Sequence, residues 1–335
     1  MAARVSSLLG SRYLGWIGLA IAVLAPFVNA TPYAMSVFTS AALFVMLAVG
    51  LNIVVGYCGL LDLGYAAFFA IGAYTSGVLA TRYGWPLLAT VPVVLIAAVL
   101  AGVVIGGPTL RLRSDYLAIV TLGFGEIIRI TANNLEVTGG PSGIYGIPSL
   151  AIGGLDLGGR VPFYYAVVVV VALATLGASR LGRSRLGRAW RFVREDEDAA
   201  EAMGIHTYKV KLAAYIAGAI WGGLAGILFG AQLSAISPQS FTFLWSALIL
   251  MAVVLGGMGS TPGVVVGAVI ISVLPELLRS VADYRYFVFG ILLIVVMVFR
   301  PQGLWPHRSR EPAPQTGPGA DAPEDTAELL RKVGR

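Results

Sequence analysis

Long apolar runs constrain this sequence more than any other feature. A helix needs about 20 apolar residues to cross a hydrocarbon core roughly 30 Å thick. Runs such as Val167–Leu173 are apolar on every side, whereas a transmembrane β-strand alternates apolar and polar residues. The candidate spans are 13–29, 33–55, 60–80, 86–107, 115–132, 162–179, 211–234, 241–257, 263–280 and 283–299. The sequence therefore predicts an all-α membrane protein, a polytopic bundle of about eight to ten transmembrane helices.

Composition supports this class, because 57% of the 335 residues are apolar and 12% are charged, against about a quarter charged in soluble domains. The run 16–28 lacks a small-residue cleavage pattern, so we interpret the first span as a retained helix rather than a signal peptide. The fifth span carries Asp115, Glu126 and Arg129. For that span, a full crossing and a re-entrant segment both remain open.

The distribution of basic residues predicts the orientation. With ten spans, four basic groups fall on one side of the membrane: those before the first span, between the fourth and fifth, in the 180–211 loop, and after the last. Since cytoplasmic loops are enriched in Lys and Arg, we expect both termini and the 180–211 loop in the cytoplasm. The 133–161 loop, rich in glycine, is then an ordered but irregular external lid. We expect residues 1–305 to form the transmembrane domain and 306–335 a disordered cytoplasmic tail.

Residues for soluble catalysis are scarce. The two histidines, His206 and His307, lie in predicted cytoplasmic segments, and the one cysteine, Cys58, lies within an apolar stretch. No metal site is therefore expected. None of the three lysines follows a glycine, so the Gly-Lys-Ser/Thr of a phosphate-binding loop is missing. We expect no enzyme activity, no cofactor bound by this chain and no nucleic-acid partner, since the net charge of +6 matches the basic loops of a membrane protein.

The segment 188–204 places basic residues first, acidic residues next and small residues last. We expect a helix from Ala189 to Met203 that stops at Gly204. Such a helix inserts readily into a groove on a partner, with Trp190, Phe192 and Val193 at the membrane interface. The alternative is a solvated charged loop.

Glycines on the seventh span recur every four residues, at Gly218, Gly222 and Gly226. Small residues at this spacing let helix backbones approach closely, so we expect packing against a neighbouring helix, with a mobile gate as the alternative. The cluster 256–263 predicts a tight turn, with a hinge as the alternative.

Several motifs together resemble one transporter family. Asp198-Ala-Ala-Glu-Ala-Met-Gly204 is similar to the cytoplasmic motif by which permease subunits of ATP-binding-cassette (ABC) importers engage their ATPases. The wider chain, over about residues 36–305, resembles the M type of branched-chain amino acid permeases. The motifs are Gly50-Leu-Asn-Ile-Val-Val-Gly56, Gly59-Leu-Leu-Asp-Leu-Gly-Tyr-Ala-Ala-Phe-Phe69, Asp115-Tyr-Leu-Ala-Ile-Val-Thr-Leu122, Gly125-Glu-Ile-Ile-Arg129, Thr138-Gly-Gly-Pro141 and Phe299-Arg-Pro-Gln-Gly-Leu304.

The resemblance implies a complex of this chain with a homologous H-type permease, two ATP-binding subunits and an external substrate-binding protein. ATP and Mg²⁺ then bind to the ATPases. The residues implied in ATPase coupling are Arg188, Asp198, Ala199, Ala200, Met203 and Gly204. Members of the family often carry a small polar residue where Asp62 stands and a histidine where Tyr65 stands, although an Asp and Tyr version is also familiar.

Charged residues inside spans are the candidates for a translocation pathway, because charge is costly in lipid. They are Asp62, Glu126 and Arg129, with Tyr65 beside the first. Glu126 and Arg129 are three residues apart and so can pair on one helix face, either to lock helices together or to serve transport. Asp62 is also placed to cap the amides that begin the third span.

These observations predict an inner-membrane permease subunit of an ABC importer for branched-chain or similar small amino acids. A urea or amide permease subunit is the nearest alternative, because that branch shares much of the pattern. A stand-alone channel or ion-coupled transporter that uses Asp62, Glu126 and Arg129 is a second alternative. A membrane-embedded enzyme or structural subunit is a third, which the lack of clustered His, Cys or acidic residues disfavours.

Overall fold

The computed structural model describes residues 11–28, 31–112, 114–152, 155–277, 290–291, 294, 299 and 303–305. Within these ranges the chain is helical almost throughout. The α-helices are α1 (Ser11–Val28), α2 (Pro32–Leu51), α3 (Ala66–Arg82), α4 (Leu87–Thr109), α5 (Ser114–Asn134), α6 (Arg160–Arg183), α7 (Arg185–Glu195), α8 (Glu197–Ala202), α9 (Thr207–Leu233), α10 (Phe243–Gly256) and α11 (Thr261–Leu277). A π-helix, Asn52–Tyr57, continues α2. Short 3₁₀ helices lie at Glu136–Thr138, Gly140–Ser142 and Pro238–Phe241.

Five of the described helical segments are long and apolar enough to cross a membrane: Pro32–Tyr57, Leu87–Thr109, Arg160–Arg183, Thr207–Leu233 and Pro238–Gly256. The predicted class of an all-α, multi-pass membrane protein is therefore confirmed. The α5 helix, in the fifth predicted span, is unbroken over 21 residues. At 1.5 Å per residue it extends about 32 Å, which is long enough for a full crossing, although α5 is not among these five apolar segments.

The third predicted span begins later than expected. Residues 60–65 are not helical, and α3 starts only at Ala66. The chain turns at Gly59, whose φ of +75° favours glycine. The tenth predicted span, 283–299, falls almost wholly outside the described residues, as does the tail 306–335.

The α2 helix lies at the centre of the bundle. Most of α2 is buried within the protein, whereas only a minority of the residues in α4 and α6 are buried. Thr31 begins α2, because its hydroxyl accepts a hydrogen bond from the amide of Ala34 at 3.3 Å. Pro32 follows in the first turn, where its missing amide costs nothing.

The α9 helix packs backbone to backbone against α3, as its glycine spacing predicts. A Cβ at Gly226 would lie 2.4 Å from the carbonyl oxygen of Phe69, and one at Gly222 would lie 2.9 Å from Cβ of Phe68. A Cβ at Gly218 would lie 2.5 Å from a methyl of Val54. Any larger residue would push these helices apart.

The two ends of the bundle differ. At one end, strand β1 (Ile144–Tyr145) pairs antiparallel with β4 (Ala235–Ile236) and ties the irregular 133–161 segment to the α9–α10 connection. The same segment holds β2 (Ala151–Ile152) paired with β3 (Leu155–Asp156). At the other end, where α2, α6 and α10 finish, lie α7, α8 and a tight turn between α10 and α11. Gly257 and Gly259 have φ of +109° and +86° in that turn, which confirms the predicted turn at 256–263.

Candidate functional site

The amphipathic segment, residues 185–204, contains two helices where the sequence predicted one. The chain breaks at Asp196, whose backbone is extended (φ −157°, ψ 112°). Its carboxylate accepts a hydrogen bond from the amide of Ala199 at 2.9 Å and so caps α8. The prediction of one continuous helix is therefore wrong, because an aspartate favours a helix start over a helix interior. The predicted stop at Gly204 is right, since that residue has φ of +81°.

The outer surface of the amphipathic segment carries five of the six residues that the sequence implied in coupling. Met203 is 73% exposed, and Asp198, Ala199 and Gly204 are exposed around it. Arg188 is also exposed, with its guanidinium directed to the carbonyl of Arg183 at 3.4 Å. On α8 the surface therefore offers one long apolar side chain, Met203, among small and acidic residues, while α7 exposes Phe192 at 50%.

The inner surface of the segment is buried in protein. Trp190 is fully buried, lies parallel to the ring of Tyr57 with centroids 6.5 Å apart, and donates to the carbonyl of Val210 at 2.8 Å. Val193 and Ala200 are buried beside it. The prediction that Trp190 and Val193 lie at the membrane interface is therefore wrong. Periodicity shows which face is apolar, and cannot tell whether lipid or protein covers it.

Two polar contacts fix α8 to the first five residues of α9. Lys211 forms an ion pair with Glu197, and the hydroxyl of Thr207 donates to the carboxylate of Glu201 at 2.5 Å. The exposed surface of α8 is therefore held by contacts on its opposite side.

Arg194 is a residue that the sequence reasoning missed. Its guanidinium donates to the carbonyl of Gly56 in the π-helix, and its Cγ lies 2.7 Å from where a Cβ of Gly59 would be. A Cβ at Gly259, in the α10–α11 turn, would lie 3.1 Å from the same guanidinium. Gly59 and Gly259 leave room for this side chain, and Gly56 supplies the carbonyl that accepts its hydrogen bond. Their separation along the chain gives no local signal of the contact.

The π-helix is also joined to the α10–α11 turn. The side-chain oxygen of Asn52 accepts a hydrogen bond from the amide of Gly259 at 2.9 Å. The hydroxyls of Tyr57 and Thr261 lie 2.7 Å apart. Arg194 thus reaches a junction that links α2, α10 and α11.

The helix break, residues 58–65, holds Asp62 and Tyr65. Asp62 is fully buried and accepts a hydrogen bond from the amide of Gly64 at 2.8 Å. The carboxylate thus caps an amide, as predicted, although that amide lies in the break that precedes α3. Tyr65 is fully buried and donates through its hydroxyl to the carbonyl of Gly218 on α9 at 2.9 Å.

The break also packs on α5. The amide of Leu63 donates to the hydroxyl of Thr121 at 3.1 Å, and a Cβ at Gly64 would lie 2.0 Å from the carbonyl oxygen of Thr121. A Cβ at Gly125 would lie 3.4 Å from Cα of Gly64. The break is therefore held between α5 and α9.

Glu126 and Arg129 form the ion pair that their spacing predicted, with Nε and Oε2 2.7 Å apart. Both side chains are partly exposed on α5. Among the described residues, no hydrogen bond joins this pair to Asp62 or Tyr65. The four candidate pathway residues thus lie on two adjoining elements and do not form one cluster. Nor does any group of three His, Cys, Asp or Glu residues in the described ranges suit a metal ion.

The fold and these sites define a multi-pass α-helical membrane protein with a buried helix break and an anchored amphipathic segment at one end of its bundle. Comparison with known sequences gives its family. The chain belongs to the family described as branched-chain amino acid transport system / permease component, whose profile matches residues 33–297.

Three relatives illustrate the similarity. The chain is 43% identical over 312 residues to the high-affinity branched-chain amino acid transport system permease protein LivM of Salmonella typhimurium, covering 86% of this chain and 73% of the relative. It is 43% identical to the LivM protein of Escherichia coli K12, covering 81% and 70%. It is 26% identical to LivH of the same organism, covering 79% and 92%. No solved structure matches the chain.

Proposed function

We propose that this chain is the transmembrane permease subunit of an ABC importer that moves branched-chain or similar small amino acids across the inner membrane of a bacterium. The observation that carries the proposal is the family match over residues 33–297. Relatives 43% identical to this chain are named as high-affinity permeases for branched-chain amino acids.

The amphipathic segment is the proposed contact with the ATPases. The exposed Met203, with Ala199 beside it, suits insertion into a groove on an ATPase subunit, because a flexible apolar side chain adapts to irregular pockets. Asp198 and Gly204 are exposed on the same short segment as Met203, Arg188 is exposed on α7, and the buried Ala200 fixes α8 to the bundle. The basic residues of 180–211 support a cytoplasmic position for this end of the bundle and for both termini.

The partners follow from this assignment. A second, H-type permease completes the membrane unit, which the similarity of this chain to LivH supports. Two ATP-binding subunits hold ATP and Mg²⁺, and one of them docks on the amphipathic segment. An external binding protein delivers the amino acid to the 133–161 end. The translocation pathway passes the helix break and α5, by Asp62, Tyr65, Glu126 and Arg129.

The first test is purification of the tagged chain from its native membrane in mild detergent, followed by mass spectrometry of the proteins that remain bound. We expect a second permease and two ATPase subunits. A homo-oligomer free of ATPase would contradict the proposal. In proteoliposomes, the full complex is expected to take up labelled leucine only with ATP and binding protein, and excess urea or amides are expected not to compete.

A deletion tests the role of the amphipathic segment. Removal of Ala199–Met203 is expected to abolish ATP-dependent uptake while the chain still inserts in the membrane. The deletion removes Met203 and Ala199, which are the proposed contact with the ATPase. A deletion in the tail, residues 316–320, serves as the matched control and is expected to leave uptake unchanged. Normal uptake by the 199–203 deletion would contradict the coupling assignment.

A further inference from the structure

One face of α5 is open along the length of the helix. Its residues recur every three or four positions, so they form a single stripe. The α5 stripe consists of Tyr116, Ile119, Gly123, Ile127 and Ile130. Tyr116, Ile119, Ile127 and Ile130 are between 50% and 68% exposed, and a Cβ at Gly123 would meet nothing within 4 Å. The opposite face, with Leu117 and Thr121 fully buried, packs on the helix break.

The Glu126–Arg129 ion pair borders this stripe in the interior of α5. Glu126 lies about 18 Å from the start of α5 and about 12 Å from its end at 1.5 Å per residue. The side chains of Glu126 and Arg129 are 34% and 26% exposed, although they contact each other. A charged side chain near the centre of a bilayer costs about 3 kcal/mol on insertion scales. Lipid is therefore a poor neighbour for this side of α5.

The other open faces of the bundle are different. On α4 the exposed residues include Ile96 and Val104, and on α6 they include Val169 and Leu173. Neither helix has a charged residue between its terminal turns. Among the described helices, α5 alone carries a carboxylate or basic residue more than two turns from both ends. The α4 and α6 faces suit lipid, whereas the Glu126–Arg129 pair beside the α5 stripe does not.

We propose that the α5 stripe and the bordering Glu126–Arg129 pair face the second permease subunit, which covers the pair from lipid. This rests on the proposed function, in which a related permease completes the membrane unit. The similarity of the chain to both LivM and LivH proteins shows that related permeases of two kinds exist. The open space at Gly123 lets a partner helix approach closely. The α5 helix then lies between the helix break and the second permease.

Photo-crosslinking in native membranes tests this surface. Benzoylphenylalanine replaces Ile119 or Ile127 on α5, and Ile96 or Val104 on α4 as controls of similar exposure. In the full complex, we expect adducts between the α5 positions and the second permease to be at least tenfold more abundant than those from α4, which should react with lipid.

The outcomes separate the two proposals. Lipid adducts, or adducts to another copy of this chain, from Ile119 and Ile127 in a complex that contains the second permease would overturn this inference alone. Absence of a second permease from the purified complex would overturn the proposed function and this inference with it. The double variant Glu126→Leu with Arg129→Leu adds a second readout. At this interface it is expected to lower recovery of the second permease at least fivefold, whereas unchanged recovery would contradict the interface.

Discussion

At the scale of single residues, Arg194 makes the most informative contact. It lies on the amphipathic segment, yet its side chain reaches the π-helix at Gly56 and the α10–α11 turn at Gly259. The π-helices of proteins are rare and frequently lie at functional sites. If an ATPase shifts the amphipathic segment, Arg194 connects that shift to the π-helix. The helix break with Asp62 follows directly along the chain.

Replacement of Arg194 is therefore expected to separate ATP hydrolysis from transport. In proteoliposomes with the complete transporter, Arg194→Ala should keep ATP hydrolysis within twofold of wild type and lower amino-acid uptake at least tenfold. Arg194→Lys should recover part of the uptake, because an ammonium can still donate to the carbonyl of Gly56 but cannot reproduce the planar guanidinium.

Glu195→Ala is the matched control, since Glu195 is the exposed neighbour of Arg194. It is expected to leave both activities unchanged. If Arg194→Ala transports normally per ATP hydrolysed, the contact is structural and does not transmit motion.

At the scale of elements, α7 and α8 are two separate helices that make different contacts. The α7 helix packs Trp190 against Tyr57 of the π-helix. The α8 helix exposes Met203 and is held by Glu197 and Glu201 against the start of α9. The extended backbone at Asp196 divides these contacts between two helices.

The Asp196 cap is thus expected to order α8. Asp196→Ala removes the acceptor for the amide of Ala199, and loss of such a cap costs about 1 kcal/mol. Hydrogen exchange of the amides from Ala199 to Met203, followed by mass spectrometry, should become about fivefold faster. Glu195→Ala should leave the exchange unchanged. Equal exchange in both variants would show that Lys211 and Thr207 suffice to hold α8.

At the scale of the whole molecule, the polar segments lie at opposite ends of the bundle. The α6 helix begins after the 133–161 segment and ends where the amphipathic segment starts. Its 24 residues extend about 36 Å at 1.5 Å per residue, which exceeds the hydrocarbon thickness. The two segments are therefore expected to contact different aqueous compartments.

Cysteine labelling can assign those compartments. In a Cys58→Ala background, a membrane-impermeant maleimide on intact spheroplasts should label Tyr145→Cys and spare Met203→Cys. Inverted vesicles should show the reverse. Both positions are well exposed, at 68% and 73%, and the native Cys58 is buried. Labelling of Met203→Cys from outside would reverse the predicted orientation.

The sequence by itself determined the class of fold, because a chain in lipid must form its backbone hydrogen bonds within each span. It also indicated the close packing at Gly218, Gly222 and Gly226, the ion pair of Glu126 with Arg129, and the helix stop at Gly204. Each of these depends on residues within a few turns of one another. Spacing along the chain was therefore sufficient to predict them.

Only the tertiary structure decided where helices break and which faces protein covers. The helix break depends on α5 and α9, since Leu63 bonds Thr121 and Tyr65 bonds Gly218. Trp190 is buried because Tyr57 and Val210 cover it, and Arg194 has its role only because Gly56 and Gly259 converge on it. These contacts join residues that are distant in sequence. Local composition and periodicity do not predict these contacts, because the free energy of each one depends on a neighbouring residue that only folding brings near.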